Sequence, residues 1–200
     1  MTDAALGASL PLPVPSPELE RRLATRRSAP AQALAAPGPS PAEIERILTL
    51  GARTPDHGKL FPWRFVVMEL ESRAALAQAL APLAGRQADP GKALKVLDKL
   101  TAPPLTILVV SAPVAGHKVP VWEQQLSAGA VCMNLEHAAN ALGYSACWIT
   151  DWYSYDPQAL ELIGVRAGEQ VAGFIHVGTL AEGPLERPRP DLTTRTSYLS

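Results

Sequence analysis

Residues 104–110, Pro-Leu-Thr-Ile-Leu-Val-Val, form an almost unbroken apolar run. A strand with one face in water alternates polar and apolar side chains, and a strand covered on both faces has no reason to. The run therefore predicts a strand in the middle of a sheet, with a neighbour on each side and helices over both faces. A 200-residue chain is long enough to supply these layers as one domain with a full core.

The remaining elements follow from punctuation and periodicity. Ser16-Pro17-Glu18 carries an N-cap residue, a proline at the first helical position and an early acid, predicting a helix over 17–26. The arginine pair at 26–27 then falls in its last turn. Ser40-Pro41-Ala42-Glu43 fits a capping box, and Ile44, Ile47 and Leu48 follow at helical spacing, predicting a helix that ends near 51 or 53. Residues 63–70 read as a strand, 72–83 as a helix, and Asp89-Pro90 as the start of another. The longest helix is expected over 122–142, stopped by Gly143, with small residues at 127–130 that admit a close neighbour. A strand over 144–149, a short helix from Asp156-Pro157 toward Gly164 and a last strand over 171–177 complete the set. Four strands among about six helices, without strict alternation, predict an α+β arrangement rather than a Rossmann sheet, and no G-x-G-x-x-G is present.

Composition narrows the partners. Charged residues make up 18% of the chain and the net charge is −1, which gives no electrostatic footprint for nucleic acid or an anionic membrane. A small molecule is the expected ligand. Residues 1–15, with prolines at 11, 13 and 15, are expected to be a disordered leader, and residues 16–200 one domain. The leader has no cationic start and is too short to span a bilayer, so a cytoplasmic location is expected. Cys132 and Cys147 lie in apolar stretches and read as buried thiols. No His, Cys and carboxylate grouping has metal-site spacing.

Arg26-Arg27-Ser28 offers two guanidiniums and a hydroxyl, a set suited to a dianionic phosphate through forked, charge-assisted hydrogen bonds. The competing reading is a solvated helix end whose charge complements the macrodipole. His57, between Asp56 and Gly58, reads as a turn residue on its own. His117 and Lys118 read as polar groups that order the loop before the long helix, and His137 and His176 as packed residues in regular structure. Trp148, Trp152, Tyr153 and Tyr155 form an aromatic cluster that is either core or a substrate platform. Asp151 is a conceivable acid, but no side chain is assigned to catalysis.

Taken together, Arg26-Arg27-Ser28, Arg53-Thr54-Pro55-Asp56-His57 leading to Pro62-Trp63, His117-Lys118-Val119-Pro120 with Trp122-Glu123-Gln124, and Trp148-Ile149-Thr150 occur in an order that resembles the FMN-dependent nitroreductase family, and within it the short, YdjA-like NAD(P)H nitroreductases. The resemblance runs over residues 20–199. It implies an α+β nitroreductase-like fold, with a mixed or antiparallel central sheet flanked by helices. It also implies an intertwined homodimer with two noncovalent FMN sites built from both chains. By the same resemblance Arg26, Arg27 and Ser28 grip the phosphate and ribityl end, and His57 and Phe61 reach the partner's flavin. Trp148, Ile149 and Thr150 lie against the ring, and Arg187 and Arg189 add phosphate contacts. NAD(P)H would be the co-substrate, and the flavin would carry a hydride to a nitroaromatic or quinone-like acceptor in a two-step exchange. Other acceptors, as in a dehalogenase or enone reductase, and a non-catalytic flavin-binding module are the alternatives. The sequence departs from the broader family at Pro30, where a basic residue is common, which leaves Arg27 as the candidate charge. It departs again at Phe61, where glutamine is usual.

Overall fold

The computed structural model describes residues 5–199 and divides into two compact units, one of Met1–Arg27 with Pro190–Ser200 and one of Ser28–Arg189. In the terminal unit, helix α1 (Pro17–Thr25) starts as the sequence dictates, with the Ser16 hydroxyl accepting from Leu19 N at 3.4 Å. It ends one residue earlier than expected. Thr25 turns its hydroxyl back onto the Arg21 carbonyl (2.8 Å), and Arg26 is already extended, so the arginine pair follows the helix instead of closing it. Residues 5–15 are exposed and contain one turn and no helix or strand. The first four residues of the expected leader lie outside the described residues.

The larger unit is built on a four-stranded sheet of order β1-β2-β4-β3, from β1 (Trp63–Met68), β2 (Leu105–Ser111), β3 (Ser145–Ile149) and β4 (Gln170–Gly178). Every pairing is antiparallel, which settles the mixed-or-antiparallel expectation. All seven residues of β2 are buried, and it lies between β1 and β4 as its apolar run requires. Full burial of each aliphatic side chain there contributes about 1.5–3 kcal/mol.

Helices cover both faces. On one, α2 (Pro41–Gly51) and α6 (Val121–Ala141) pack Ile47, Val131, Leu135 and Ala139 onto Ile107, Val109, Ile175 and Val177. Both halves of the α2 capping box form, Glu43 N to Ser40 Oγ at 3.4 Å and Ser40 N to Glu43 Oε2 at 2.8 Å. Gly51 lets the two helices touch, since a β-carbon there would lie 2.4 Å from Leu135 Cδ2. On the other face α3 (Leu70–Ala84), α4 (Pro90–Lys95), α5 (Asp98–Thr101) and α7 (Pro157–Ile163) gather Leu80, Leu97, Leu100 and Ala159 around Leu108, Val110 and Phe174. The single turn of α5 carries no capping side chain and too few residues for a periodic signal, and it is the helix the sequence does not announce.

Arg73 on α3 is fully buried. Its Nη1 donates to the carbonyls of Leu100 and Pro103 (2.6 Å each) and to Thr106 Oγ1 (3.2 Å), and its Nη2 donates to the Pro104 carbonyl (3.0 Å). The guanidinium thus holds the connection from α5 into β2. Thr106 in turn meets His176 Nδ1 at 2.9 Å, and burial pushes the His176 ring down to about 3, with the Arg73 and Lys99 charges adding to it. His176 is therefore a neutral core residue.

Candidate functional site

The chain after Ser28 closes the open edge of β3. Ala29 N donates to the Ala146 carbonyl (3.0 Å), and Ala35 and Thr179 exchange hydrogen bonds of 2.9 and 2.8 Å, so residues 29–35 run along the sheet edge toward the end of β4. Crossing an edge in this way blunts it against pairing with another strand. Ala29, Ala31 and Leu34 pack with Cys147, and Ile149 joins them. Burial drives both thiols, Cys132 and Cys147, up to about 12, with the Glu136 carboxylate reinforcing it, so neither is a nucleophile. Ser28 is half-buried at the start of this segment, and no other residue of the unit engages its hydroxyl. The residue after Ser28 thus shares a cluster with Ile149 of the expected segment 148–150.

Beyond β3 the chain carries polar groups into the same region. Thr150 Oγ1 lies 2.9 Å from the hydroxyl of the exposed Tyr155. Asp151 accepts from Lys99 Nζ at 2.8 Å, with both side chains largely covered, and also caps the turn by accepting from Trp152 N (2.9 Å). Lys99 comes from α5, which packs against the turn Ala31–Ala33. Lys99 was invisible as a site residue in the sequence, where it is one lysine in a Val-Leu-Asp-Lys-Leu run 52 residues from its partner. The aromatic cluster divides. Tyr153 is core, edge-on to Phe174 at 5.2 Å between centroids, Trp152 donates to the Ala93 carbonyl (3.0 Å), and Tyr155 is the most exposed of the four, beside Thr150.

Trp148 sits differently from Ile149 because side chains alternate along β3. A β-bulge between Val109 and Val110 leaves Ala172 out of the ladder, and its carbonyl accepts from Trp148 Nε1 at 2.9 Å. The indole lies over Gly173, where a β-carbon would fall 2.0 Å from Nε1, and its far edge reaches Gly129 of α6. Only the backbone of Trp148 accompanies the Ser28 segment.

The second group of expected site residues is hung on α6. Glu123, Ser127 and Asn134 share one face of that helix. Ser127 Oγ donates to the Pro55 carbonyl (2.9 Å) and accepts from Trp63 Nε1 (3.2 Å), and Asn134 Nδ2 donates to Thr54 Oγ1 (2.7 Å). His57 Nδ1 and Glu123 Oε2 are 2.7 Å apart. The Asp56 carboxylate accepts from the backbone N–H groups of Leu60 and Phe61, tightening the turn. Lys59 and Phe61 there adopt φ of +57° and +48°, left-handed values that L-residues hold at a cost. The outcome is a Phe61 ring 64% exposed, edge-on to Trp63 at 6.4 Å. Among the described residues no hydrogen bond joins this turn to Ser28 or Thr150.

The arginines are distributed. Arg26 and Arg27 end the terminal unit and precede Ser28 in the chain. Arg187 and Arg189 lie in an exposed segment, where Arg189 Nη2 pairs with Glu186 Oε1 at 2.9 Å. Among the described residues no group of three or more His, Cys, Asp or Glu side chains could hold a metal ion, and no helix is long and apolar enough to cross a membrane.

An antiparallel four-stranded sheet with helices on both faces, and an exposed turn held by the longest helix, define an α+β class. The chain belongs to the nitroreductase family, whose model matches residues 23–179. It is 36% identical over 160 residues to the Escherichia coli (strain K12) protein named "Putative NAD(P)H nitroreductase YdjA", covering 80% of this chain and 84% of that one. A Haemophilus influenzae protein with the name "Putative NAD(P)H nitroreductase" is 37% identical over 141 residues, 68% of this chain and 76% of the other. Among solved structures, a nitroreductase-like family protein from Bacillus cereus superposes with a TM-score of 0.80 at 20% identity, over 94% of this chain and 99% of that one. A Desulfovibrio desulfuricans nitroreductase homologue solved in complex with FMN gives 0.69 at 19% identity, over 90% and 96%.

Proposed function

We propose that this protein is an FMN-dependent NAD(P)H oxidoreductase that reduces nitroaromatic or quinone-like acceptors, working as a homodimer whose flavin sites are shared between two copies. The observation that supports this reading is that Ala29, the residue after Ser28, bonds the Ala146 carbonyl of β3 and packs in one cluster with Cys147 and Ile149. The donor chemistry fits FMN. A half-buried hydroxyl that its own unit leaves unengaged follows two guanidiniums in the chain, and the ammonium of Lys99, held by Asp151, stands at the same strand end.

In this reading Arg26, Arg27 and Ser28 bind the phosphate, and the Trp148 backbone, Ile149 and Thr150 line the ring. Arg27 is the candidate for the positive charge that Pro30 does not supply, and Lys99, paired with Asp151, is a second cation beyond β3. His57 and Phe61 serve the partner's site, and Arg187 and Arg189 contribute phosphate contacts from the exposed segment. Bound FMN would supply the hydride chemistry, taking up electrons from NAD(P)H and releasing them to the acceptor. The protein's own part is to bind, orient and exclude water, and none of its side chains forms a covalent link. The shared site is supported by the outer stripe of α6, where Trp122 (66% exposed) and Leu126 (53%) stand one turn apart. Of the small residues at 127–130, Ser127 and Ala128 are buried within the chain and Ala130 is exposed.

The test is the absorption spectrum of the purified protein, FMN titration by fluorescence, and NAD(P)H oxidation with and without added acceptor. Arg26→Ala removes a charge-assisted contact of roughly 1.5–3 kcal/mol, so FMN affinity should fall about tenfold to a hundredfold. Unchanged affinity in Arg26→Ala and Ser28→Ala, or a colourless protein that cannot be loaded, refutes the assignment. Light scattering should return twice 21.3 kDa.

A further inference from the structure

Two motifs that stand 66 residues apart in the sequence, Arg-Thr-Pro-Asp-His and Trp-Glu-Gln, meet in the structure at one contact, Glu123 Oε2 on His57 Nδ1 at 2.7 Å. The neighbouring polar groups have other duties. The Asp56 carboxylate closes its own turn on Leu60 and Phe61. His117 Nδ1 accepts from Val119 N at 3.1 Å. The Gln124 amide binds the loop before α6, accepting from Val114 N (2.8 Å) and donating to the Val119 carbonyl (3.1 Å). Arg53, Lys59 and Lys118 are exposed and, among the described residues, form no ion pair. Among the described residues, Glu123 is thus the one side chain hydrogen-bonded to the His57 ring.

The side chains of His57 and Glu123 are 63% and 44% exposed, so the contact adds little to stability. Its effect is on the ring itself. A carboxylate accepts but does not donate, so Nδ1 must carry a proton to meet it, in the neutral and in the charged imidazole alike. The other nitrogen, Nε2, is then turned away from Glu123 and is the only ring atom at which a proton can be gained or lost.

We propose that Glu123 is the positioning residue of His57, fixing the Nδ1–H tautomer and the ring plane so that Nε2 is presented to the polar edge of a flat heterocycle, the flavin of the second copy. This rests on the functional reading above and adds to it the residue that sets the role of His57. A carboxylate behind an imidazole orients the working nitrogen here as it does for histidines at metal and nucleophile sites.

The experiment is ¹⁵N–¹H correlation of the histidine rings in the full-length protein, with His57 assigned by its loss in His57→Asn. The wild type should show His57 as the Nδ1–H form, and Glu123→Ala should move it to the Nε2–H form. FMN affinity should fall about fivefold to tenfold in Glu123→Ala, the effect of one misdirected hydrogen bond. It should fall no further in the His57→Asn/Glu123→Ala double variant than in His57→Asn alone, because the two residues act as a unit. The melting temperature should stay within about 2 °C throughout, as for the loss of an exposed pair. An unchanged tautomer in Glu123→Ala, or additive losses in the double variant, overturns the proposal. If His57→Asn binds FMN like the wild type while Arg26→Ala does not, His57 is outside the site and the presentation to flavin is refuted with the functional reading intact. If the wild type binds no FMN, the functional reading fails, and the tautomer result still upholds or overturns the Glu123–His57 pair.

Discussion

Replacing Arg73 by methionine keeps most of the side-chain volume and removes the guanidinium that four acceptors share. Three of those acceptors are main-chain carbonyls, of Leu100 at the end of the single-turn α5 and of Pro103 and Pro104 in the connection from it into β2. Hydrogen bonds to a charged group contribute roughly 1.5–3 kcal/mol each, but bringing a guanidinium into the interior offsets much of that sum. The offset is visible in Arg73 itself, whose pKa is lowered by burial. What the methionine variant loses is better judged from the other side. Buried carbonyls left without a donor cost about 1–3 kcal/mol apiece, less whatever the loop recovers by opening to water, for a net of about 3–5 kcal/mol. In a protein of this size that lowers Tm by about 6–20 °C. Differential scanning calorimetry with urea denaturation would measure it, and Arg73→Lys, which keeps the charge but offers one nitrogen in place of a fork, should fall between the two. A methionine variant as stable as the wild type would show that the connection satisfies its own carbonyls, and that the guanidinium is not what holds α5 and Lys99 in place.

Gly173→Ala puts a methyl group into the Trp148 indole, so the ring must leave the Ala172 carbonyl; a loss of about 1–3 kcal/mol and a red-shifted tryptophan emission are expected, and an unchanged spectrum would contradict the packing. Glu169 is held down to about 2, first by its hydrogen bond from Arg64 (2.6 Å) and then by the Arg166 N–H and the nearby charges. A carboxyl whose folded pKa lies below its unfolded value contributes stability that is complete above the unfolded value and is lost as pH falls through the folded one. The wild type should therefore lose Tm relative to Glu169→Gln between about pH 5 and pH 2, and parallel melting curves over that range would refute the coupling.

The helices other than α5 were legible because their signals are local. Ser40 and Glu43 close a capping box within one turn, Asp89-Pro90 and Asp156-Pro157 start α4 and α7, and Gly164 ends α7 at φ +80°. The central strand was legible because burial on both faces leaves its mark on every residue. What the sequence could not disclose is whatever depends on residues far apart meeting. The pairs Lys99–Asp151 and His57–Glu123 span 52 and 66 positions, and nothing in the spacing of either partner announces the other. The direction of Trp148 depends on a bulge in a neighbouring strand. The backbone of the expected ring segment could be placed from sequence, but the side chain that turns away from it could not.

The strand order also has a consequence in time. The last strand to be synthesised, β4, does not add to an edge but inserts between β2 and β3. Until residue 178 has emerged, β2 can pair only with β1, and the row of N–H and C=O groups that will meet residues 170–177 stays open, with Ile107 and Val109 beside it. Chain order and sheet order thus conflict, and the domain cannot assemble piecewise from its N-terminus during translation. Its nascent chain must carry an apolar, unpaired strand through the synthesis of α6, β3 and α7, the interval in which a chaperone or an early collapse of α6 onto β2 has to shield it.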